Sequence, residues 1–258
     1  MKILLSGILG HMGREVVKLC EANYRGASLF AGVDPMVKEG ETLPVFSSFS
    51  DVENTSDIDC IVDFSHHSAT AGLISFAEEK NLPVVVATTG HTEEEIKIIK
   101  KAANKIPVFY SYNMSLGIAL LVELAKKTAA AMPEADIEII EKHHNRKVDA
   151  PSGTAIMLAN AIKEIRADSY VKCGREGQGK RELKEIGVHS LRMGNIVGEH
   201  EVIISSANQT LSLKHEAHSR TLFAEGALAA AEFLVRCDAG MYDMNSLVNA
   251  TNKEPIYR

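Results

Sequence analysis

The chain has no tryptophan, four cysteines and an aromatic content of 5% over 258 residues. Cys20, Cys60, Cys173 and Cys237 lie far apart with no C-x-x-C pair, which argues against a disulfide scaffold and a four-thiolate zinc site. Scattered thiols fit a cytosolic protein. An excess of positive charge is also missing: the formal net charge is −6, so no nucleic-acid partner is expected. No apolar stretch approaches the roughly 20 residues that span a bilayer, so no membrane partner is expected either. The opening "MKILLSGILG" places a lysine before apolar residues, but the run is short, lacks a cleavage-like site and leads into patterned sequence, unlike a secretory leader. What remains is an ordinary globular composition, 45% hydrophobic and 24% charged, with length for two modest domains or one large α/β unit.

Residues 1–113 alternate short apolar runs with helical patterns. "KILLSG", "SLFAGVD", "CIVDFS", "LPVVVATTG" and "IPVFYSYN" read as strands, several continuously apolar as strands buried on both faces are. "HMGREVVKLCEAN" has helical spacing. "HTEEEIKIIKKAANK" carries its own start signal, Thr92 followed by Glu95 at capping-box spacing with acids in the first turn. Alternating strands and helices predict a doubly wound parallel sheet. After Asn113 the rhythm changes. "SLGIALLVELAKKTAAAM" and "SGTAIMLANAIKEI" read as helices, "ADIEIIEKHH" as a strand, "CGREGQGKRE" as a polar glycine-rich loop, and 186–213 as strands joined by turns. That section is α+β, with a domain boundary near 113. "TLFAEGALAAAEFLV" is helical again, and its pattern alone does not assign it to either domain.

"GILGHMG" places Gly7, Gly10 and Gly13 between the first strand and the first helix. Glycines there permit a tight turn and let backbone N–H groups at a helix N-terminus approach a pyrophosphate. The spacing is G-x-x-G-x-x-G, with Leu9 in place of the usual second glycine, so the motif alone is weak and its position carries it. Asp34 ends the second strand about 20 residues after Gly13, where an acid bonds the adenosine ribose hydroxyls. The turn carries His11, Asp34 is followed by Pro35 and Met36, and Lys38 is the nearest permanent cation after the strand. This pattern favours NADH and leaves NADPH open. "ATTG", Ala87 to Gly90, ends another strand with small and hydroxyl residues suited to close cofactor approach, or else forms a simple strand-to-helix turn.

The densest chemistry lies in "HHNRKVDAPSGT", residues 143–154. His143 and His144 are adjacent on a strand and face opposite ways, so they do not share a metal ion unless the strand breaks. A zinc reading would recruit Glu141, Asp149, His215 or His218, with no H-E-x-x-H or cysteine–histidine spacing to support it, and no metal is expected. Arg146 and Lys147 add positive charge. Ser152 is placed as an N-cap, with the N–H groups of Gly153 and Thr154 at the positive end of a helix dipole. Cations, a helix N-terminus and a titratable imidazole describe a site for an anionic substrate that must receive a proton. Lys147 and Arg146 are expected to set the charge state of His143 by disfavouring its imidazolium.

"GILGHMG", "VDFS", "ATTG", "NMSLG", "EKHHNRKVDAPSGTA", "RMGNIVGEH", "HSRTLFAEGAL" and "GMYDM" together resemble, in order and spacing, the 4-hydroxy-tetrahydrodipicolinate reductase family, also called dihydrodipicolinate reductases. The match spans nearly the whole chain, and the H-H-x-x-K-x-D-x-P-S-G-T run is highly specific. The resemblance implies NAD(P)H-dependent reduction of a cyclic dicarboxylate, with release of water, in the diaminopimelate route to lysine. It implies His143 as acid/base and Lys147 as the lysine that holds substrate and helps deliver a proton. His144, Ser152, Gly153, Thr154 and Arg220 would anchor the substrate. Gly7, Gly10, His11, Met12, Gly13, Asp34, Phe64, Ala87, Thr88, Thr89, Gly90, Tyr112, Asn113 and Met114 would hold the cofactor. The family fold is a Rossmann-like doubly wound parallel sheet, 1–113 plus 221–258, with a second α+β domain, 114–220, for substrate binding and tetramer formation. Closure of one domain over the other would exclude water.

This chain departs from the family's usual pattern at Ala87, where glycine is commoner, at Met114, where many members have phenylalanine, and at His11, where some have arginine. A thioether is soft enough to fill an aromatic volume, and the missing arginine again weakens a 2′-phosphate site. Two other readings fit parts of the pattern. A thiol-dependent semialdehyde dehydrogenase needs an activated cysteine, and none stands beside the histidines in sequence. A non-catalytic NAD(H) sensor leaves the 143–154 constellation without a purpose.

Overall fold

The computed structural model describes residues 1–38 and 43–251. Its first stretch runs β1 (Lys2–Ser6), α1 (His11–Glu21), β2 (Ser28–Val33), β3 (Val45–Phe46), β4 (Cys60–Asp63), α2 (Thr70–Lys80), β5 (Val84–Val86), α3 (Glu93–Ala102) and β6 (Pro107–Tyr110). The second comprises α4 (Leu116–Ala131), β7 (Asp136–His143), α5 (Gly153–Ile165), β8 (Tyr170–Cys173), β9 (Glu185–Arg192), β10 (Gly198–Ser206) and β11 (Gln209–Ala217). The chain ends with α6 (Thr221–Leu234), β12 (Gly240–Tyr242) and α7 (Met244–Thr251).

Contacts divide the chain into two compact domains, one of residues 1–115 with the segment from Thr221 onward, the other Leu116–Arg220. The predicted extent of the first domain reaches residue 258, and 252–258 lie outside the described residues.

The first domain holds a seven-stranded sheet in the order β12-β6-β5-β4-β1-β2-β3, every pair of which is parallel. This is a Rossmann-like sheet. Its central strands are apolar on both faces: Ile3, Leu4, Leu5, Ile61, Val62, Val84 and Val85 are fully buried, as crossover helices on both faces require. Strand order reverses at β1, which lies between β2 and β4, and such a switch point opens a crevice at the strands' carboxyl ends.

The predicted cap of α3 is present. The Thr92 hydroxyl accepts from the Glu95 N–H at 3.3 Å, and the Glu95 carboxylate accepts from the Thr92 N–H at 2.7 Å. Five elements lie outside the patterns read from sequence: β3, α2, β8, β12 and α7. All five have weak local signals, and β3 and β12 have only two and three residues. Alpha2 has a poorly segregated apolar face, with Thr70, Leu73, Ile74, Phe76 and Ala77 all buried.

The second domain has a five-stranded mixed sheet, β11-β10-β7-β9-β8. Beta7 runs parallel to β9 and antiparallel to β10. Alternate β7 side chains are buried: Ile137, Ile139, Glu141 and His143. Ile137 and Ile139 pack with Leu121 and Val122 of α4 and Leu158 and Ile162 of α5 in one core. The opposite face is ionic: Arg181 and His189 bond Glu138, while Lys142 pairs with Glu199.

Candidate active site

The first candidate region follows β1. Gly10 precedes α1 and carries no side-chain cap, no acid occupies the first turn, and the positive end of the helix is left to backbone N–H groups. Gly7 has φ of +77°, and a Cβ there would stand 2.6 Å from the Phe64 carbonyl oxygen. A Cβ on Gly13 would stand 2.2 Å from the Gly7 carbonyl oxygen. The turn is thus closed by backbone against backbone, which only glycine allows. Buried Asp34 braces it, accepting from the Leu9 N–H at 3.1 Å and the Met36 N–H at 3.0 Å. His11 begins α1 exposed to solvent, and Lys38 is exposed.

Next to this turn, at the carboxyl ends of β4, β5 and β6, lies a cavity of about 300 Å³. Met12, Phe64, Ala87, Thr88, Thr89, Tyr112 and Met114 line it together with Ser65 and Phe223. Ser65 and Phe223 were missed as cofactor-site residues, although both lie within the VDFS and HSRTLFAEGAL motifs. The Thr88 hydroxyl is buried and makes no hydrogen bond among the described residues, an unmet polar group on the cavity wall. The backbone cradle, open helix N-terminus and Thr88 hydroxyl fit a dinucleotide. Gly90 and Asn113 stand beside the cavity rather than on its wall. Gly90 supplies a positive φ of +84°, and the Asn113 side chain accepts from the Ser115 N–H at 2.8 Å, tightening the turn that presents Met114. Met114 is buried against α6, where a Cβ on Gly226 would meet the Met114 carbonyl oxygen.

The second region lies at the end of β7. His143 and Glu141 are two residues apart on one strand face, and their side chains meet, Nδ1 to Oε2, at 2.5 Å. The other carboxylate oxygen accepts from the Ser152 N–H at 3.1 Å. Arg192, at the end of neighbouring β9, clamps both oxygens at 2.8 and 2.7 Å. Glu141 has no solvent exposure. Burial alone would raise its pKa, but the Arg192 bonds, then those from His143, Ser190 and Ser152, outweigh it and hold the carboxyl at about 2.

The N-cap of α5 is Ser152, as its position predicts. Its hydroxyl accepts from the Ala155 N–H at 3.2 Å and also meets His200 Nε2 at 3.2 Å. Burial, then the proximity of His143, lowers the His200 pKa to about 4, and the two imidazoles lie edge to face with centroids 5.2 Å apart.

These contacts correct one expectation. The charged group touching His143 is the Glu141 carboxylate, not Lys147 or Arg146. Lys147 pairs with Asp149 at 2.8 Å, and Arg146 donates to Asn195 at 2.9 Å. Their influence falls on His144, whose pKa is lowered by burial first, then by Arg146 and Arg220. His144 leaves the strand, its backbone N–H donating to the Ile196 carbonyl at 2.8 Å. Gly153 and Thr154 form the first turn of α5. Glu141, Arg192 and His200 as partners of His143 were missed. The i, i+2 spacing of Glu141 and His143 was the available signal; Arg192 and His200 come from other strands, which local pattern does not pair. Among the described residues no three His, Cys, Asp or Glu side chains are grouped to hold a metal ion, and no helix is long and apolar enough to cross a membrane.

Residues 1–114 match the family described as dihydrodipicolinate reductase, N-terminus, and residues 117–248 match its C-terminus. The chain is 43% identical to a 4-hydroxy-tetrahydrodipicolinate reductase of Clostridium novyi, over 97% of this chain and 99% of that one. It is 42% identical to the same enzyme of Caldanaerobacter subterraneus subsp. tengcongensis, over 96% and 98%. Its fold is similar to that of a dipicolinate-bound dihydrodipicolinate reductase from Paenisporosarcina sp. TG-14, with a TM-score of 0.80 at 25% identity over 94% of this chain and 97% of that one. The chain therefore belongs to the dihydrodipicolinate reductase family.

Proposed function

We propose that this protein is an NAD(P)H-dependent oxidoreductase that reduces 4-hydroxy-tetrahydrodipicolinate to tetrahydrodipicolinate with loss of water, in the diaminopimelate route to lysine. The observation that carries the reading is the joint held by Glu141: one carboxylate fixes the imidazole of His143 and the N-terminal peptide of α5. A proton donor is thereby built into a place that attracts anions.

Replacing a ring hydroxyl by hydrogen takes one hydride and one proton, and the oxygen leaves as water. A bound dihydronicotinamide supplies the hydride. Gly7, Gly10 and Gly13, with the N–H groups of His11 and Met12, receive the pyrophosphate, and Asp34 stands at the adenosine ribose. Phe64, Ala87, Thr88, Thr89, Gly90, Tyr112, Asn113 and Met114 shape the remainder of the cofactor site. The carboxylate of Asp34, with no arginine in the glycine turn, favours NADH over NADPH.

His143 is the proton donor, through Nε2, since Nδ1 is engaged by Glu141. Lys147, His144 and Arg220 meet one substrate carboxylate, Lys147 exchanging Asp149 for it. Ser152, Gly153 and Thr154 meet the other at the positive end of α5. The protein acts in the cytoplasm as a homotetramer, with the second domain, 114–220, forming the tetramer.

The test is oxidation of NADH and NADPH in parallel, with the unstable substrate made in situ from pyruvate and aspartate semialdehyde by the preceding synthase. Substrate-dependent oxidation with a higher kcat/KM for NADH is expected. Cofactor binding without oxidation, beside a working synthase, would overturn the reading.

A further inference from the structure

Among the buried ionisable groups, Glu141 is the one whose presence most requires an explanation. A carboxylate with no solvent exposure is costly unless every lone pair is met. Here both terminal nitrogens of Arg192 and the Ser152 N–H donate to it, the Ser190 side chain adds a further hydrogen bond, and His143 Nδ1 meets it at 2.5 Å. A pair of apolar residues would fill the same space without that cost, as Ile137 and Ile139 do one and two turns of the pleat earlier on the same face. What the ionic arrangement provides that an apolar one does not is a fixed orientation of the His143 ring.

We infer that Glu141, anchored by Arg192, is a positioning residue that holds the His143 ring with its Nδ1–H on the carboxylate and its Nε2 available for proton transfer. This rests on the reductase reading given above. The geometry at the other end of the ring agrees. Nε2 makes no hydrogen bond among the described residues, and it faces Gly198 at the start of β10, where a Cβ would stand 3.1 Å away. Gly198 keeps that edge of the imidazole clear of a side chain.

The proton inventory closes. As the Nε2–H bond breaks and the proton leaves with the departing oxygen as water, the ring becomes neutral and keeps its Nδ1–H on Glu141. Nothing else has to move, and reprotonation from solvent at Nε2 restores the starting state. With the opposite tautomer Nδ1 would present a lone pair to a carboxylate, a repulsive contact. The charged and titratable groups around the pair are Arg192 from β9, His200 from β10, and His144, Lys147 and Asp149 from the segment between β7 and α5. Of these, Arg192 touches Glu141 directly and also donates to the Asp149 carbonyl at 2.6 Å, so the anchor spans both edges of the site.

The experiment compares wild type with Glu141→Gln in the coupled NADH assay across pH, with NADH binding and thermal unfolding measured alongside. The amide keeps the shape and loses the charge. We expect kcat to fall about tenfold to a hundredfold, the high-pH limb of its profile to move to lower pH because the anion facing the imidazolium is gone, and the NADH Kd to stay within about twofold. A purely structural role would lower stability and leave the pH limb in place. An active variant with kcat within about threefold and an unmoved limb would overturn the inference while leaving the reductase reading intact. An inactive wild type would instead overturn the reductase reading.

If the variant does not fold, the wild type alone decides. Nitrogen NMR of protein labelled in its histidines, with the His143 signals identified by their loss in His143→Gln, reports the tautomer of the neutral ring. Protonated Nδ1 is expected. Protonated Nε2 would overturn the inference.

Discussion

The two sheets of this molecule handle polarity in opposite ways. In the parallel sheet, the middles of β1 and β4 and the whole of β5 are aliphatic and buried on both faces. Its chemistry is therefore pushed to the strand ends, where backbone N–H groups and missing Cβ atoms do the work. In the mixed sheet only one face is covered by α4 and α5, and chemistry sits on the strand itself. The buried row of β7 changes from Ile137 and Ile139 to Glu141 and His143 within four positions. The lesson is that a doubly covered sheet offers its backbone at the strand ends, while a singly covered sheet can hold a buried ionic pair such as Glu141 and Arg192 in its lattice.

That contrast can be broken from either side. The largest expected effect on binding is on the backbone side. Gly13→Ala places a methyl 2.2 Å from the Gly7 carbonyl, so the turn must open, and NADH binding should weaken by about a hundredfold in a fluorescence titration. On the side-chain side, Lys147→Met removes the cation that pairs with Asp149 and that we propose meets a substrate carboxylate. KM for the substrate should rise about tenfold with the NADH Kd unchanged.

Acid sharpens the comparison further, because the strongly shifted buried groups beside His143 lie in the second domain. The folded pKa of His200 is lowered from 6.5 to about 4 and that of Glu141 from 4.5 to about 2. In both windows the unfolded chain binds more protons than the folded one, so stability falls as pH drops, first from 6.5 toward 4 and then from 4.5 toward 2. Calorimetry across this range should show a Tm loss of about 5 °C or more, with the upper part flattened in His200→Gln. The smallest effect belongs to the first domain's local signals: Thr92→Ala removes one half of the α3 capping box, costing about 1 kcal/mol in chemical unfolding.

Legibility in the sequence followed the same division. The central parallel strands and the α3 cap were readable because they are local: a continuous apolar run, a Thr and a Glu three residues apart. The glycine turn was readable because φ above zero and backbone contact admit so few residues. The motif around His143 was readable as a string of residue types, but not its wiring. Arg192 reaches Glu141 from a parallel strand about fifty positions away, and no periodicity encodes which cation answers which anion. For that reason the sequence points to Lys147 and Arg146, the neighbours of His143 along the chain, and not to Glu141 with Arg192. Short edge strands such as β3 and β12 were lost for a related reason, since neighbouring strands define them more than their own residues do.

We propose that cofactor binding belongs to the glycine turn and proton delivery to His143. The most direct test is His143→Gln, measured for kcat in the coupled assay and for NADH affinity by titration. The account predicts kcat reduced by at least about a hundredfold, with KM and the NADH Kd within about threefold of wild type. Retention of kcat within a few-fold, with the loss appearing in KM instead, would contradict it.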